Sequence, residues 1–274
     1  MRINQILEKK KEEIKEAKSL RPFNEIRKRA DDKRRGEKKE GIAGNVSFLD
    51  ALKGDVLARR NGIKTKIIAE IKSASPSKGV IRKEFSPVEI AKIYESHGAS
   101  AISVLTTSFG FNGDIEYLKD VKRTVDIPVL RKDFIFDEYQ IYESCAFGAD
   151  ALLLIASILD AKQLNDYLEL SKDLGIDVLV EVHTFDDMEK TANCNPDIIG
   201  INNRDLKTFD VDINTTLELA KEIPDDKVIV SESGIKSRKD IKFFETNGVD
   251  AFLIGTALMA SDDIGNELDK LLSD

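Results

Sequence analysis

The chain has 274 residues, 41% of them hydrophobic and 34% charged, which suits a soluble globular protein with one large α/β barrel core or two smaller domains. Its formal charge of −8 is unevenly spread: residues 1–40 hold 15 Lys/Arg against 9 Asp/Glu, so the rest is strongly acidic, which argues against a nucleic-acid partner. Cys145 and Cys194 are far apart, as are His97 and His183, giving neither a disulfide framework nor a histidine metal site; with no long apolar run and a charged N-terminus, a cytoplasmic protein without a membrane partner is expected.

Residues 3–20 place Ile3, Ile6, Leu7, Ile14 and Leu20 at helical spacing among Glu and Lys, predicting an amphipathic helix. The basic run 27–39 is interleaved with acids and reads as a solvated linker or helix face rather than an RNA-binding arm. Residues 47–52 read as a short capped helix. Residues 67–71 then form a short, β-branched apolar run, the pattern of a buried strand. It carries Glu70 and Lys72, which share one face because side chains two apart in a strand point the same way. An acid and an amine side by side at the exit of an apolar strand are costly to bury unless they pair or take part in chemistry.

From there a helix–Gly–strand unit repeats. Gly98, Gly148, Gly175 and Gly248 each precede a short, unalternating apolar run, as expected for left-handed helix ends leading into a parallel sheet covered on both faces. Further runs at 127–130, 198–201 and 228–230 bring the strands to eight. Helix starts are signalled by Ser86-Pro87-Val88-Glu89, by Thr184 with Asp187 and by Ser237 with Asp240. No strand leads into a GxGxxG turn, so a dinucleotide-binding open sheet has no support. The rhythm predicts an α/β fold, a (β/α)8 TIM barrel over residues 47–274, preceded by an N-terminal helical extension, 1–46, packed on it.

Chemistry in such barrels sits at the C-terminal ends of the strands. Here the first strand ends in Glu70 and Lys72, the third in Arg131, Lys132 and Asp133, and the fifth in Glu181, in phase with Leu179 and His183. The sixth ends in Asn202, Asn203, Arg204 and Asp205, and the seventh in Glu232. Five polar strand ends on one rim suggest a site that binds an anion and moves protons. Burial can push such lysines toward neutrality, while neighbouring carboxylates can act as bases or hold them charged. Ser233-Gly234 after the seventh strand, Gly255-Thr256 after the eighth and the loop 75–79 are small enough for backbone N–H groups to approach a phosphate closely.

The segments AEIKSASPSKG, VLRKDFI, EVH, GINNRDL, SESGI and AFLIGTALM occur in this order and closely resemble the indole-3-glycerol-phosphate synthase family of tryptophan biosynthesis, over nearly the whole chain including the charged extension. The resemblance implies a carboxy-lyase that converts 1-(2-carboxyphenylamino)-1-deoxyribulose 5-phosphate to indole-3-glycerol phosphate, CO2 and water. It implies no cofactor or metal and a phosphorylated small molecule as the partner; a monomer, with a weak dimer as the alternative, is expected. By the same resemblance Lys132 would be the general acid for ring closure, Lys72 would meet the substrate carboxylate and help in dehydration, and Glu181 would be the second acid/base group. Glu70 and Asn202 would handle the ring nitrogen and a hydroxyl, and Arg204 and Glu232 would orient substrate or lysines. Ser75, Ser233, Gly234, Gly255 and Thr256 would cradle phosphate, and Phe111, Phe134 and Leu153 would receive the aromatic ring. Many members carry an acid in an LTE motif after the second strand; here the residues are Leu105-Thr106-Thr107, and no role is carried onto Thr107. A related phosphosugar barrel, such as phosphoribosylanthranilate isomerase, would share the phosphate loops without needing the Glu70/Lys72 and Lys132/Asp133 strand ends, and a barrel that only binds its ligand would show no turnover.

Overall fold

The structure, a computed structural model, describes residues 3–40, 46–53, 65–206 and 208–273. Among the described residues, three helices, α1 (Ile3–Leu20), α2 (Phe23–Glu40) and α3 (Phe48–Leu52), precede the first strand. Eight strands follow: β1 (Lys66–Ile71), β2 (Ala101–Leu105), β3 (Val129–Lys132), β4 (Ala151–Ile155), β5 (Asp177–Val182), β6 (Ile198–Asn202), β7 (Val228–Glu232) and β8 (Ala251–Ile254). They are all parallel and close into a barrel, β8 pairing with β1. Outside it run α4 (Pro87–Ser96), α5 (Ile115–Lys122), α6 (Glu138–Phe147), α7 (Ala161–Leu174), α8 (Phe185–Ala192), α9 (Asn214–Leu219), α10 (Arg238–Glu245), α11 (Thr256–Met259) and α12 (Ile264–Leu272). No helix among the described residues is long and apolar enough to cross a membrane.

The unalternating strands follow from burial on both faces. Ile67, Ala69 and Ile71 of β1, like Ile102 and Val104 of β2, face the surrounding helices. Ile68, Leu130, Leu179 and Val230 fill the barrel interior. The four glycines before strands all have positive φ, and Gly148 and Gly175 are the left-handed C-caps of α6 and α7. Of the three expected capping boxes only Ser237 with Asp240 is reciprocal. Ser86 caps α4 with its own side chain alone, and the Asp187 carboxylate turns away from Thr184 to accept the backbone N–H of His183.

The short helix α3 plugs the N-terminal mouth of the barrel. Phe48 and Leu52 are fully buried among the inward strand residues, and the Leu49 N–H donates to Asp177 at the start of β5 at 2.9 Å. Helix α2 carries the first part of the basic run on its outer side, with Arg27, Lys28, Arg29 and Arg35 exposed and Ile26 and Ala30 fully buried beneath. Helix α1 departs from the expected apolar stripe: Leu20 is exposed, while Lys10 is buried between Ile6 and Ile14. The Lys10 ammonium lies 2.7 Å from Asp133 and 2.8 Å from Glu13, and Glu13 accepts from Ser108 Oγ and the Phe109 N–H. One turn of α1 thus ties the end of β3 to the loop after β2.

Arg131 was expected on the inward rim and is not there. The strand period of two sends it outward while Lys132 points in. Its fully buried guanidinium donates to Asp133 and Glu143, each at 2.9 Å, and to Thr106, Ser144 and the Gln140 carbonyl. That network explains why α6 buries Gln140, Glu143 and Ser144. Asn203 also turns outward, donating to Ser231 and the Ser233 carbonyl and accepting from Thr216. Replacing Arg131 by Leu takes one counter-ion from each of two buried carboxylates, leaving Lys10 on Asp133 and Arg21, at 3.4 Å, on Glu143; the expected loss in urea unfolding is about 3 kcal/mol, the scale of breaking a buried ion pair, and a variant of wild-type stability would contradict this role.

Candidate active site

The inward phase of the odd-numbered strands delivers Glu70 from β1, Lys132 from β3, Glu181 from β5 and Glu232 from β7 to one level at the C-terminal mouth. Layers built from alternate strands are the packing rule of such barrels. The register agrees: Lys132 pairs with Leu105, Glu181 with Ile155 and Glu232 with Asn202 on the even strands. Space for these long side chains comes from glycine. A β-carbon on Gly200 would strike the Glu232 carboxylate and Leu179, and one on Gly255 would strike the Glu70 carboxylate. Gly255, expected only as part of a phosphate cradle, therefore also makes room for an acid.

Lys132 is the centre of this layer. Its Nζ lies 2.6 Å from Glu232 Oε2 and 3.2 Å from Glu181 Oε2, and Lys72 pairs with Glu70 beside it. Burial opposes the charge on Lys132, but Glu232, Glu181 and Glu70 outweigh it and hold the ammonium well above the usual lysine range. Of the two roles expected for the carboxylates, holding the lysine charged is the one this geometry favours. Burial also opposes ionisation of Glu181, yet Lys132 and then His183 hold its carboxyl well below the usual carboxylate range. For Glu232 burial is the largest effect; Lys132 pulls it down, Glu181 and Glu70 push it up, and it stands at about 7.

The cavity over this layer measures about 740 Å³, and every residue singled out for binding or catalysis lines it. Phe111 and Phe134, 6.2 Å apart between ring centroids, line the same cavity with Leu153 and with Ile3 and Ile6 of α1 and give it an apolar part. One side is built from backbone. The loop after β1 folds into a two-stranded ribbon, Ala74–Ser75 against Gly79–Val80, and places Ser75 in the cavity with a buried hydroxyl that has no partner. Ser233 and Gly234 are both left-handed, φ 66 and 85, and a side chain on Gly234 would collide with Val211. Gly255 opens the first turn of α11, whose N–H groups have no carbonyl one turn before them. Asn202 and Arg204 line the mouth, the Asn202 Oδ1 accepting the Arg204 N–H at 3.0 Å and the guanidinium reaching the Phe209 carbonyl at 2.9 Å. Among the described residues no cluster of His, Cys, Asp or Glu is arranged to hold a metal ion.

Asp133 is the pivot behind Lys132. It accepts from Lys10, Arg131, Thr106, Thr107 and the Phe134 N–H, and although burial opposes its charge, Lys10 and Arg131 hold it well below the usual range. Thr107 therefore supplies a donor, where a carboxylate would face the charge of Asp133. Sequence reasoning passed over Lys10, one of several lysines in a charged helix, and Lys78 and Lys236, which line the cavity in the loops after β1 and β7.

A carboxyl whose folded pKa is near 7 and whose unfolded pKa is ordinary favours folding below the unfolded value and loses that contribution as pH rises through about 7. Glu232→Gln should melt above wild type at pH 8.5, with the gain shrinking toward pH 4.5; a variant less stable than wild type at pH 8.5 would contradict the assignment.

Comparison with known proteins places this geometry in context. A family profile described as indole-3-glycerol phosphate synthase matches residues 3–271. Indole-3-glycerol phosphate synthase of Thermoanaerobacter sp. (strain X514) is 48% identical over 271 residues, covering 99% of this chain and 96% of its relative. The enzyme of that name from Legionella pneumophila (strain Paris) is 45% identical over 276 residues, covering 99% and 100%. Among solved structures, a chain of the tryptophan synthase α2β2 complex from Pyrococcus furiosus superposes with TM-score 0.58 at 13% identity, covering 77% of this chain and 98% of that one. A structure described as native KDPGal gives 0.57 at 11% identity, covering 76% and 93%. These last two likenesses concern the fold.

Proposed function

The chain belongs to the indole-3-glycerol phosphate synthase family, and we propose that it closes the indole ring of 1-(2-carboxyphenylamino)-1-deoxyribulose 5-phosphate with Lys132 as the general acid. The observation that carries this reading is one buried ammonium between two carboxylates, in a cavity that also has an apolar part and a side built from backbone. The substrate has matching parts: an aromatic carboxylate, a carbonyl with a polyol, and a phosphate.

In the proposed pose the phosphate lies against Ser75, Ser233, Gly234, Gly255 and Thr256, and the benzoate ring against Phe111, Phe134 and Leu153. Lys72 meets the ring carboxylate. The aromatic carbon bearing that carboxylate attacks the ketone carbon, and Lys132 gives its proton to the ketone oxygen as charge develops there. The carboxylate then leaves as CO2, its electron pair restoring the aromatic ring, so the substrate supplies its own electron sink. Dehydration needs a donor for the departing hydroxyl and a base for a proton of the new five-membered ring. Glu181 and Lys72 take these duties, with Glu70 and Asn202 at the ring nitrogen and the hydroxyl. Arg204 and Glu232 orient the substrate and the lysines.

The extension 1–46 acts as a cover to the barrel 47–274, supported by Ile3 and Ile6 in the cavity wall and by the Lys10–Asp133 bridge. Cys145 and Cys194, which form no disulfide, suit a reducing cytoplasm.

Indole product is fluorescent, and its formation from this substrate is the direct assay. Lys132→Met should lower turnover by ~10² or more, the scale of losing a positioned general acid, while phosphate-ligand binding survives; equal turnover would refute the role. Removing residues 1–40 should raise KM or lower the melting temperature, and a truncated enzyme with neither change would sink the cover.

A further inference from the structure

The proposed reaction takes up one proton per turnover. Ring closure consumes a proton at the ketone oxygen, loss of CO2 from a carboxylate releases none, and dehydration takes up one proton as it gives up another. Substrate plus H+ therefore yields product, CO2 and water. That proton has to reach acids that are nearly sealed, with side-chain exposures of 16% for Lys132, 3% for Glu181 and 1% for Glu232.

Beside them sits a titratable group that the steps above leave idle. His183 follows Glu181 by two residues and so shares its inward phase. Its Nε2 is 3.3 Å from Glu181 Oε1, and its Nδ1 is 3.9 Å from Asp187 Oδ2 at the first turn of α8. Neither ring nitrogen has an aligned hydrogen-bond partner and neither atom touches solvent, although 9% of the side chain does. A neutral imidazole buried in this way wastes both nitrogens, whereas an imidazolium has a carboxylate on each side. Burial opposes that charge, but Glu181 first, then Asp187 and Glu232, raise His183 above the ordinary histidine value. The groups facing the ring are thus Glu181 on its own strand, Asp187 on α8 and Glu232 on β7, with Lys132 of β3 beyond Glu181.

We propose that His183 is the proton source that reloads the catalytic acids. The chain His183–Glu181–Lys132–Glu232 is contiguous, with steps of 3.3, 3.2 and 2.6 Å. After Lys132 has given its proton to the ketone oxygen it is a neutral amine. The imidazolium passes its Nε2 proton to Glu181, Glu181 passes one to Lys132, and the neutral His183 regains a proton from water by turning its ring so that a nitrogen reaches the 9% of the side chain open to solvent. No electrons change hands. His183 acts through Glu181 and does not touch substrate, and the proposal rests on the roles given to Lys132 and Glu181.

The test compares wild type with His183→Gln and His183→Asn, each shown to be folded by its melting curve. Both variants should lose roughly 10²-fold in kcat, the low end for a positioned proton-transfer group, with KM essentially unchanged. Wild-type kcat should fall as pH rises through the raised histidine pKa, a limb both variants lack. Added imidazole should restore turnover in the variants and leave wild type unaffected. Variants with wild-type kcat would overturn the proposal, as would a loss of kcat that keeps the wild-type pH limb or that imidazole does not relieve. A wild type that forms no indole product would instead overturn the functional reading on which it rests.

Discussion

An ammonium group buried in the mouth of a barrel is a liability unless charges of the other sign surround it. Burying an ion from water costs several kcal/mol even after relaxation, and only close, well-placed counter-charges repay it. Lys132 has Glu232 and Glu181 in direct contact and Glu70 acting from further off, each brought by a different odd-numbered strand. The cost falls on Glu232: burial, with Glu181 and Glu70 nearby, keeps its proton to about 7 despite Lys132. Lys72 on Glu70 and His183 beside Glu181 balance the remainder. The layer is thus an assembly of ions that are tolerable together and unfavourable singly.

Everything near this layer serves its placement. The even-numbered strands contribute Gly200 and Gly255 where a β-carbon would collide with an acid. On the other face of β3, Arg131 and Asp133 anchor the strand to α6, and Lys10 fastens α1 to the same aspartate. A strand held by ions on its outer face presents its inner lysine in one position, the preorganisation that electrostatic catalysis depends on. Helix α1 also brings Ile3 and Ile6 to the apolar side of the cavity, so the element that braces the acid walls off the aromatic subsite as well.

Much of this was legible in the chain itself. Apolar runs after glycines marked the strands, and their polar ends marked the rim, because a strand buried on both faces has no other reason to end in Glu or Lys. What escaped was orientation and long-range pairing. Reading the third strand as 127–130, when it spans Val129–Lys132, left Arg131, Lys132 and Asp133 as one cluster, although alternate residues face opposite sides. Lys10 looked like any other lysine of a charged helix, since its partner lies far along the chain. Gly255 carried a turn-and-phosphate signal, while its contact with Glu70 depends on barrel closure between β1 and β8, which no local pattern encodes. The ribbon after β1 was hidden in a Ser/Pro loop too short to show a period.

Lys132 stays charged although buried, and NMR titration of its Nζ, assigned with Lys132→Gln, tests this directly. The expected result is an ammonium that shows no deprotonation up to about pH 10.4, the ordinary lysine value. A midpoint below that value would mean that burial prevails over the surrounding carboxylates, and would contradict the arrangement described here.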